Sequence, residues 1–231
     1  MVNSGKPNLI ISDSKGAWFR ATILFILALI GTVGMWSVVV FIPDIEREFN
    51  LDRGTSSLLY AFTMIGFGFG TVVIGKIYDK FGIKKPILLA TIVLIACYYF
   101  YSIFPFYWQF LMLQFFMGFA ASTFFGPAMA DISNYFNKQR GFALSIVASA
   151  NYVAGATWPL LIGYFLKFID WRTTHFWISI CLLIMIPLII LLKNASVDES
   201  KFQDTKQRYK DIKLNLSNNQ IQVLLMLAGI C

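Results

Sequence analysis

Charge is missing from this chain in blocks. No lysine, arginine, aspartate or glutamate occurs over residues 21–42, 54–75, 86–130, 141–166 or 173–192. A helix rises about 1.5 Å per residue and needs roughly 20 apolar residues to cross a hydrocarbon core about 30 Å thick. Four of the blocks are one crossing long, and the longest, 86–130, holds two crossings and a turn. The turn is expected from Ser102 to Gln109, where Pro105, Tyr107 and Trp108 suit a membrane interface. Six transmembrane helices follow, so the fold class is an all-α membrane protein. A seventh apolar stretch begins near Asn219 and is cut off at Cys231.

Composition closes off the other classes. Only 13% of the 231 residues are charged, about half the usual share in a soluble domain. A soluble fold would need six fully buried helices in a chain too short to cover them. The first 20 residues are polar and the first apolar run is too long for a cleaved leader. Fifteen lysines and arginines fall in the N-terminal segment, the second and fourth connections and the tail, against four on the other side. The positive-inside rule then places both ends in the cytoplasm, and a plasma or cell inner membrane is expected. The net charge of +7 is thereby a topological signal, so no nucleic-acid partner is expected. Cys97, Cys181 and Cys231 sit in apolar segments without pairing or metal spacing and read as packing residues. No cofactor or metal is expected. The expected organisation is a cytoplasmic segment over 1–17, a six-helix bundle over 18–192, a cytoplasmic linker over 193–217 and the start of a truncated seventh helix over 218–231.

Two connections on opposite sides of the membrane resemble each other. Residues 44–54 read DIEREFNLDRG and residues 131–141 read DISNYFNKQRG, identical at six of eleven positions. The same offset pairs Gly31 with Gly118, Gly68 with Gly155, and Lys80-Phe81 with Lys167-Phe168. Helices one to three thus read as a diverged copy of helices four to six. Three is odd, so the second copy enters from the opposite side, giving a 3+3 inverted repeat, as in many secondary transporters. The alternative is that helix ends independently reuse Asp, Arg and Gly for capping and termination.

Residues 75–85, GKIYDKFGIKK, join helices two and three. A positive-inside loop would need the lysines but not their order: Gly75, Asp79 one turn on, Lys80, Gly82 to reverse the chain, and Lys84. This resembles the signature of the major facilitator superfamily, Gly-x3-Asp-Arg/Lys-x-Gly-Arg/Lys-Arg/Lys, with Ile83 departing from it. The resemblance implies the N-terminal six-helix half of a transporter. It implies too that Gly75, Asp79, Lys80, Gly82 and Lys84 latch against a partner half-bundle, the carboxylate sitting near a helix N-terminus that favours it. Trp36-Ser37-Val38 with Phe49 and Arg53, residues 135–155 (YFNKQRGFALSIVASANYVAG) and Asp170-Trp171-Arg172 resemble the oxalate/formate antiporter and monocarboxylate transporter branch. In the last of these, Asp170 stands where the branch has glycine. That branch implies a small organic anion as substrate, a coupling ion being possible, and a cation for the carboxylate carried by the other half.

No charged residue is expected inside the six helices, so no buried ion pair is read from them. Neutral polar groups in mid-helix then become the cavity candidates, since they are expensive in hydrocarbon unless paired or wet. Asn151 leads, with Ser149 and Tyr152 beside it, and an interhelical hydrogen bond is the alternative. Thr32 and Trp36 share a face of helix one. Gln114, Ser122 and Thr123 on helix four and Tyr60 and Thr63 on helix two complete the set. Gly66, Gly68 and Gly70, and the series Gly141, Ser145 and Ser149, are expected to allow close helix packing. Asp131, Lys138 and Arg140 are expected either to mirror the Asp79 latch or to form an ordinary solvated loop. A membrane enzyme would need clustered His, Asp or Glu; one histidine, His175, argues against it. The leading reading is a secondary transporter working by alternating access within the lipid bilayer. Its partner is the missing C-terminal half-bundle or a second copy of the chain. The rival is a non-transporting half with a structural or regulatory role.

Overall fold

Short polar caps fix where the helices begin. The Ser14 hydroxyl accepts the Ala17 N–H at the start of α1 (Lys15–Gly31). Asp52 accepts the N–H groups of Gly54 and Thr55 at the start of α3 (Arg53–Phe81). Asp170 takes the Thr173 N–H at the start of α8 (Trp171–Cys181). Each satisfies a donor that the helix itself leaves open. Gly82 ends α3 with φ +71°, a conformation that side chains rarely adopt. The capping role of Asp170 accounts for an aspartate where the resembled branch has glycine.

The computed structural model describes residues 13–192, which are helical with no strand. Six stretches among them are long and apolar enough to cross a membrane: Lys15–Phe49, Arg53–Phe81, Lys84–Ile103, Tyr107–Ser133, Arg140–Phe165 and Trp171–Leu191. The expected N-terminal segment up to residue 12, the linker and the seventh helix lie outside the described residues. The second, third and fifth spans are the single helices α3, α4 (Lys84–Ile103) and α7 (Arg140–Phe165). The first is interrupted at Thr32 between α1 and α2 (Val33–Phe49). The fourth passes from α5 (Tyr107–Ala121) through a 3₁₀ turn, Ser122–Phe124, into α6 (Gly126–Ser133). Pro127 lacks an N–H, so the Thr123 carbonyl loses its helical donor there. The sixth passes from α8 through Leu182–Ile184 into α9 (Met185–Leu191).

The buried core gathers Leu24, Leu27 and Phe41 with Ile87, Leu94, Tyr98, Phe110 and Phe124. The second span packs against the fourth, the first against the fifth, and the third against the sixth. Exchanging the first three spans for the last three leaves this set of neighbours unchanged, as an inverted repeat requires. The second–fourth crossing is set by glycine. A Cβ on Gly66 would overlap the Phe115 carbonyl, and one on Gly118 the Thr63 carbonyl; one on Gly70 would press, less closely, on Ser122 and the Phe119 carbonyl. Gly68 faces open space, so it takes no part in that crossing. Nor do Gly141, Ser145 and Ser149 form a packing ridge among the described residues: a Cβ on Gly141 would meet nothing within 4 Å and Ser145 is exposed. Large apolar side chains such as Phe69, Val72, Leu160 and Phe168 lie outward, which suits a lipid surrounding.

Hydrogen bonds sort the connections to two ends. Residues 50–52, 104–106 and 166–170 gather at one, where the Tyr107 hydroxyl donates to the Thr55 carbonyl and Arg172 to the Phe104 carbonyl. The start of α1 and connections 82–83 and 134–139 gather at the other, the basic end. There Asp13 accepts the N–H groups of Asn137, Lys138 and Gln139.

Candidate functional site

Two indoles stitch the first span to the fifth on either side of the Thr32 break. Trp36 in α2 donates its ring N–H to the Asn151 amide oxygen in α7 at 3.1 Å. Trp158 in α7 donates to the Leu29 carbonyl, in the last turn of α1, at 2.8 Å. The Trp36 ring reaches α7 because residue 155 is glycine: a Cβ there would sit 2.9 Å from the indole. Trp36, Asn151 and Ser149 are partly exposed, Tyr60 is 38% exposed and Tyr152 70%. Ser149 itself donates to the Ile146 carbonyl.

The other candidates are enclosed between helices. The Thr63 hydroxyl meets the Gln114 amide oxygen at 2.8 Å, and the Gln114 amide donates to the Tyr101 hydroxyl at 3.1 Å. This chain joins the second, fourth and third spans in the interior. Thr32 turns its hydroxyl back onto the Ala28 carbonyl, and Ser122 onto that of Phe119. Thr123 Oγ1 is buried with no partner among the described residues. The structure adds residues that periodicity did not single out. Ser37 and Tyr98 share a 2.6 Å hydrogen bond. His175 stacks on Tyr101 at 4.5 Å, close to Phe41 and Trp171, with Nδ1 on the Trp171 carbonyl. Their signal was a polar atom embedded in an aromatic run, which mid-helix hydropathy masks.

At the basic end the expectation of no buried ion pair is corrected. Arg20 and Asp131 face each other through two contacts, Nε to Oδ2 at 2.7 Å and Nη2 to Oδ1 at 2.9 Å, both residues buried. The reason is helix length: Ser14 starts α1 at Lys15, so Arg20 lies inside the first span, and α6 carries Asp131 inside the fourth. Asp131 is therefore neither a solvated loop residue nor grouped with Lys138 and Arg140, which are exposed. The Arg20 guanidinium also lies over the Tyr135 ring, 4.6 Å from its centroid. Removal from water raises the Tyr135 hydroxyl above the usual tyrosine range, Arg20 opposing and Asp131 adding to the shift.

The Gly75–Lys84 motif sits beside this cluster. Tyr78 accepts a hydrogen bond from the Asn134 amide at 3.2 Å, anchoring the end of α3. Asp79, next in the chain, is exposed and makes no hydrogen bond or ion pair among the described residues. A Cβ on Gly75 would likewise meet nothing within 4 Å. Lys80 and Lys85 both lie over the exposed Phe81 ring, while Lys84 begins α4. At the opposite end Arg172 binds Glu48 and the Phe104 carbonyl, and the Trp171 N–H binds the same glutamate. Asp52 and Asp170 are held below the usual carboxylate range there, each chiefly by a threonine hydroxyl, Thr55 and Thr173, and then by the same residue's N–H.

Among the described residues no group of His, Cys, Asp and Glu could hold a metal. The arrangement is a half-bundle, tied at both ends and across its middle, that presents neutral donors and aromatic rings at its first–fifth junction. A family model described as Major Facilitator Superfamily matches residues 24–231. The chain is 27% identical over 156 residues to an agnestins efflux protein, AgnL12, of Paecilomyces divaricatus, covering 65% of this chain and 35% of that one. It is 29% identical over 167 residues to the MFS-type transporter pynF of Aspergillus niger, covering 69% and 38%. An uncharacterized transporter of Rickettsia bellii is 23% identical over 199 residues, covering 81% of this chain and 47% of the relative. The chain thus spans between about a third and a half of the length of these relatives.

Proposed function

Because this chain belongs to the Major Facilitator Superfamily and is an integral multi-pass membrane protein, we propose that it serves as one half-bundle of a secondary active transporter. It moves a small solute by alternating access, rocking as a unit against a second half-bundle or a second copy of the chain. The solute is an organic anion such as a monocarboxylate, with or without a coupling ion. The membrane is the plasma or cell inner membrane, with the amino terminus in the cytoplasm.

The observation that carries this reading is Asp79. It stands exposed and unpaired among the described residues, directly after the anchored Tyr78. A lone carboxylate held on an anchored corner, flanked by Lys80 and Lys84, is suited to docking on the N-terminus of a partner helix. The ties through Trp36, Trp158, Gln114 and Arg172 support rigid-body motion, because the half then moves without internal rearrangement. That one relative is named as an agnestins efflux protein supports a second reading, in which the solute is moved outward.

Uptake of radiolabelled pyruvate, oxalate and benzoate into proteoliposomes carrying the full chain, under an imposed pH gradient, tests this. The expected result is saturable uptake of at least one, slowed about fivefold or more in Asp79→Asn with solute binding retained. Uptake in Asp79→Asn at the wild-type rate would remove the latch role. Absence of flux for all three would remove the reading in which the chain moves organic anions with a second copy of itself.

A further inference from the structure

The Trp36–Asn151 pair has a polarity that neither residue has alone. An indole N–H can only donate, so the Asn151 amide must turn its oxygen toward Trp36, as observed at 3.1 Å. The amide nitrogen is then left for a different partner. It makes no hydrogen bond among the described residues. It is accessible too, since the only buried side-chain polar atom without a partner among them is Thr123 Oγ1. The ring that fixes the amide is itself fixed, pressed against Gly155 one turn beyond Asn151. A freely rotating asparagine would offer donor or acceptor with equal ease. This one has its oxygen already engaged by the indole and both N–H donors open.

We propose that the held Asn151 amide is a donor-biased recognition point, favouring solutes that present an oxygen acceptor, a carboxylate or carbonyl, over ammonium groups, which are left only the second lone pair of an oxygen already bonded to the indole. This inference rests on the transport reading and adds to it the chemistry of the contact. Surroundings sharpen the preference. No lysine, arginine, aspartate or glutamate lies between residues 141 and 166 of the fifth span. An acceptor meeting the amide in so apolar a setting keeps more of the hydrogen-bond energy than it would in water. Leaving the donors unpaired carries a matching penalty, which is how a site built to bond one partner rejects the wrong one.

Benzoate and benzylamine share a ring and differ in the group presented, so they isolate this property. Equilibrium binding of each radiolabelled compound is measured by scintillation proximity on the full chain in liposomes. The wild type is expected to prefer benzoate by about tenfold or more, the usual scale of a hydrogen bond to a charged group. Trp36→Phe keeps the aromatic packing on Gly155 but frees the amide to rotate, and the preference is expected to fall below about threefold. Asn151→Asp keeps an acceptor for the indole and removes both donors, so benzoate binding is expected to be lost and benzylamine binding kept or gained. Elution of the variants as wild type from a sizing column guards against misfolding. A preference for benzoate unchanged in both variants would overturn the inference while leaving transport standing. A wild type that binds neither compound overturns the inference together with the transport reading beneath it.

Discussion

The Arg20–Asp131 pair is the most consequential contact made by single residues. Breaking a buried ion pair by removing one partner typically costs about 3–5 kcal/mol, whereas replacing both by apolar groups is often neutral. Asp131→Ala is therefore expected to lower the melting temperature in detergent by on the order of 10 °C. The double variant Arg20→Met, Asp131→Leu is expected to recover most of that loss; a double variant as weak as the single one would show that the charges themselves are needed. Asp170 bears on pH. Its carboxyl is held low in the folded state by Thr173, so its contribution is present above the ordinary aspartate range near pH 4 and is lost as pH falls below it. Asp170→Asn should melt below wild type at pH 7, and the gap should close as the pH falls through the lowered carboxyl pKa. Of these residues, Asp170 was legible only as a departure from the resembled motif, its capping role emerging from the hydrogen bond to Thr173. The ion pair was not legible, because it joins positions 111 apart and Arg20 had been counted outside the first helix.

At the scale of helices, apolar blocks located all six spans and the turn before Tyr107, since length and hydropathy alone decide a crossing. The interruptions at Thr32 and at Ser122–Phe124 were not visible that way: a broken helix is as apolar as a straight one. Pro127 was the one available hint for the second. Gly66 and Gly70 were readable as close-packing residues but Gly68 was not separable from them, because spacing does not say which face meets a neighbour. Gly118→Leu is accordingly expected to prevent the second and fourth spans from closing and to abolish monodisperse protein. Gly68→Leu, with open space before it, should leave yield and elution unchanged. Equal behaviour of the two would contradict the crossing described.

For the whole molecule, the two tied ends make a prediction about sidedness. With Cys97, Cys181 and Cys231 replaced by serine, single cysteines at Asp52 and Lys167 are expected to react with a membrane-impermeant maleimide on intact cells. Cysteines at Lys84 and Lys138 should react only after the membrane is opened. The reverse pattern would invert the orientation drawn from the lysines and arginines. The family was legible in one loop, GKIYDKFGIKK, whereas the neighbours that tie the half-bundle together were not, since they depend on contacts between spans distant in sequence.

The same Arg20–Asp131 contact has a consequence for how the protein is made. Arg20 leaves the ribosome 111 residues before its carboxylate. At roughly 5–20 residues per second that is a wait on the order of ten seconds. Through that interval the first span must rest in or beside the translocation channel with its guanidinium bent toward the lipid headgroups. Its final depth is fixed only when the fourth span arrives, so biogenesis of this half-bundle is completed from its middle rather than from its beginning.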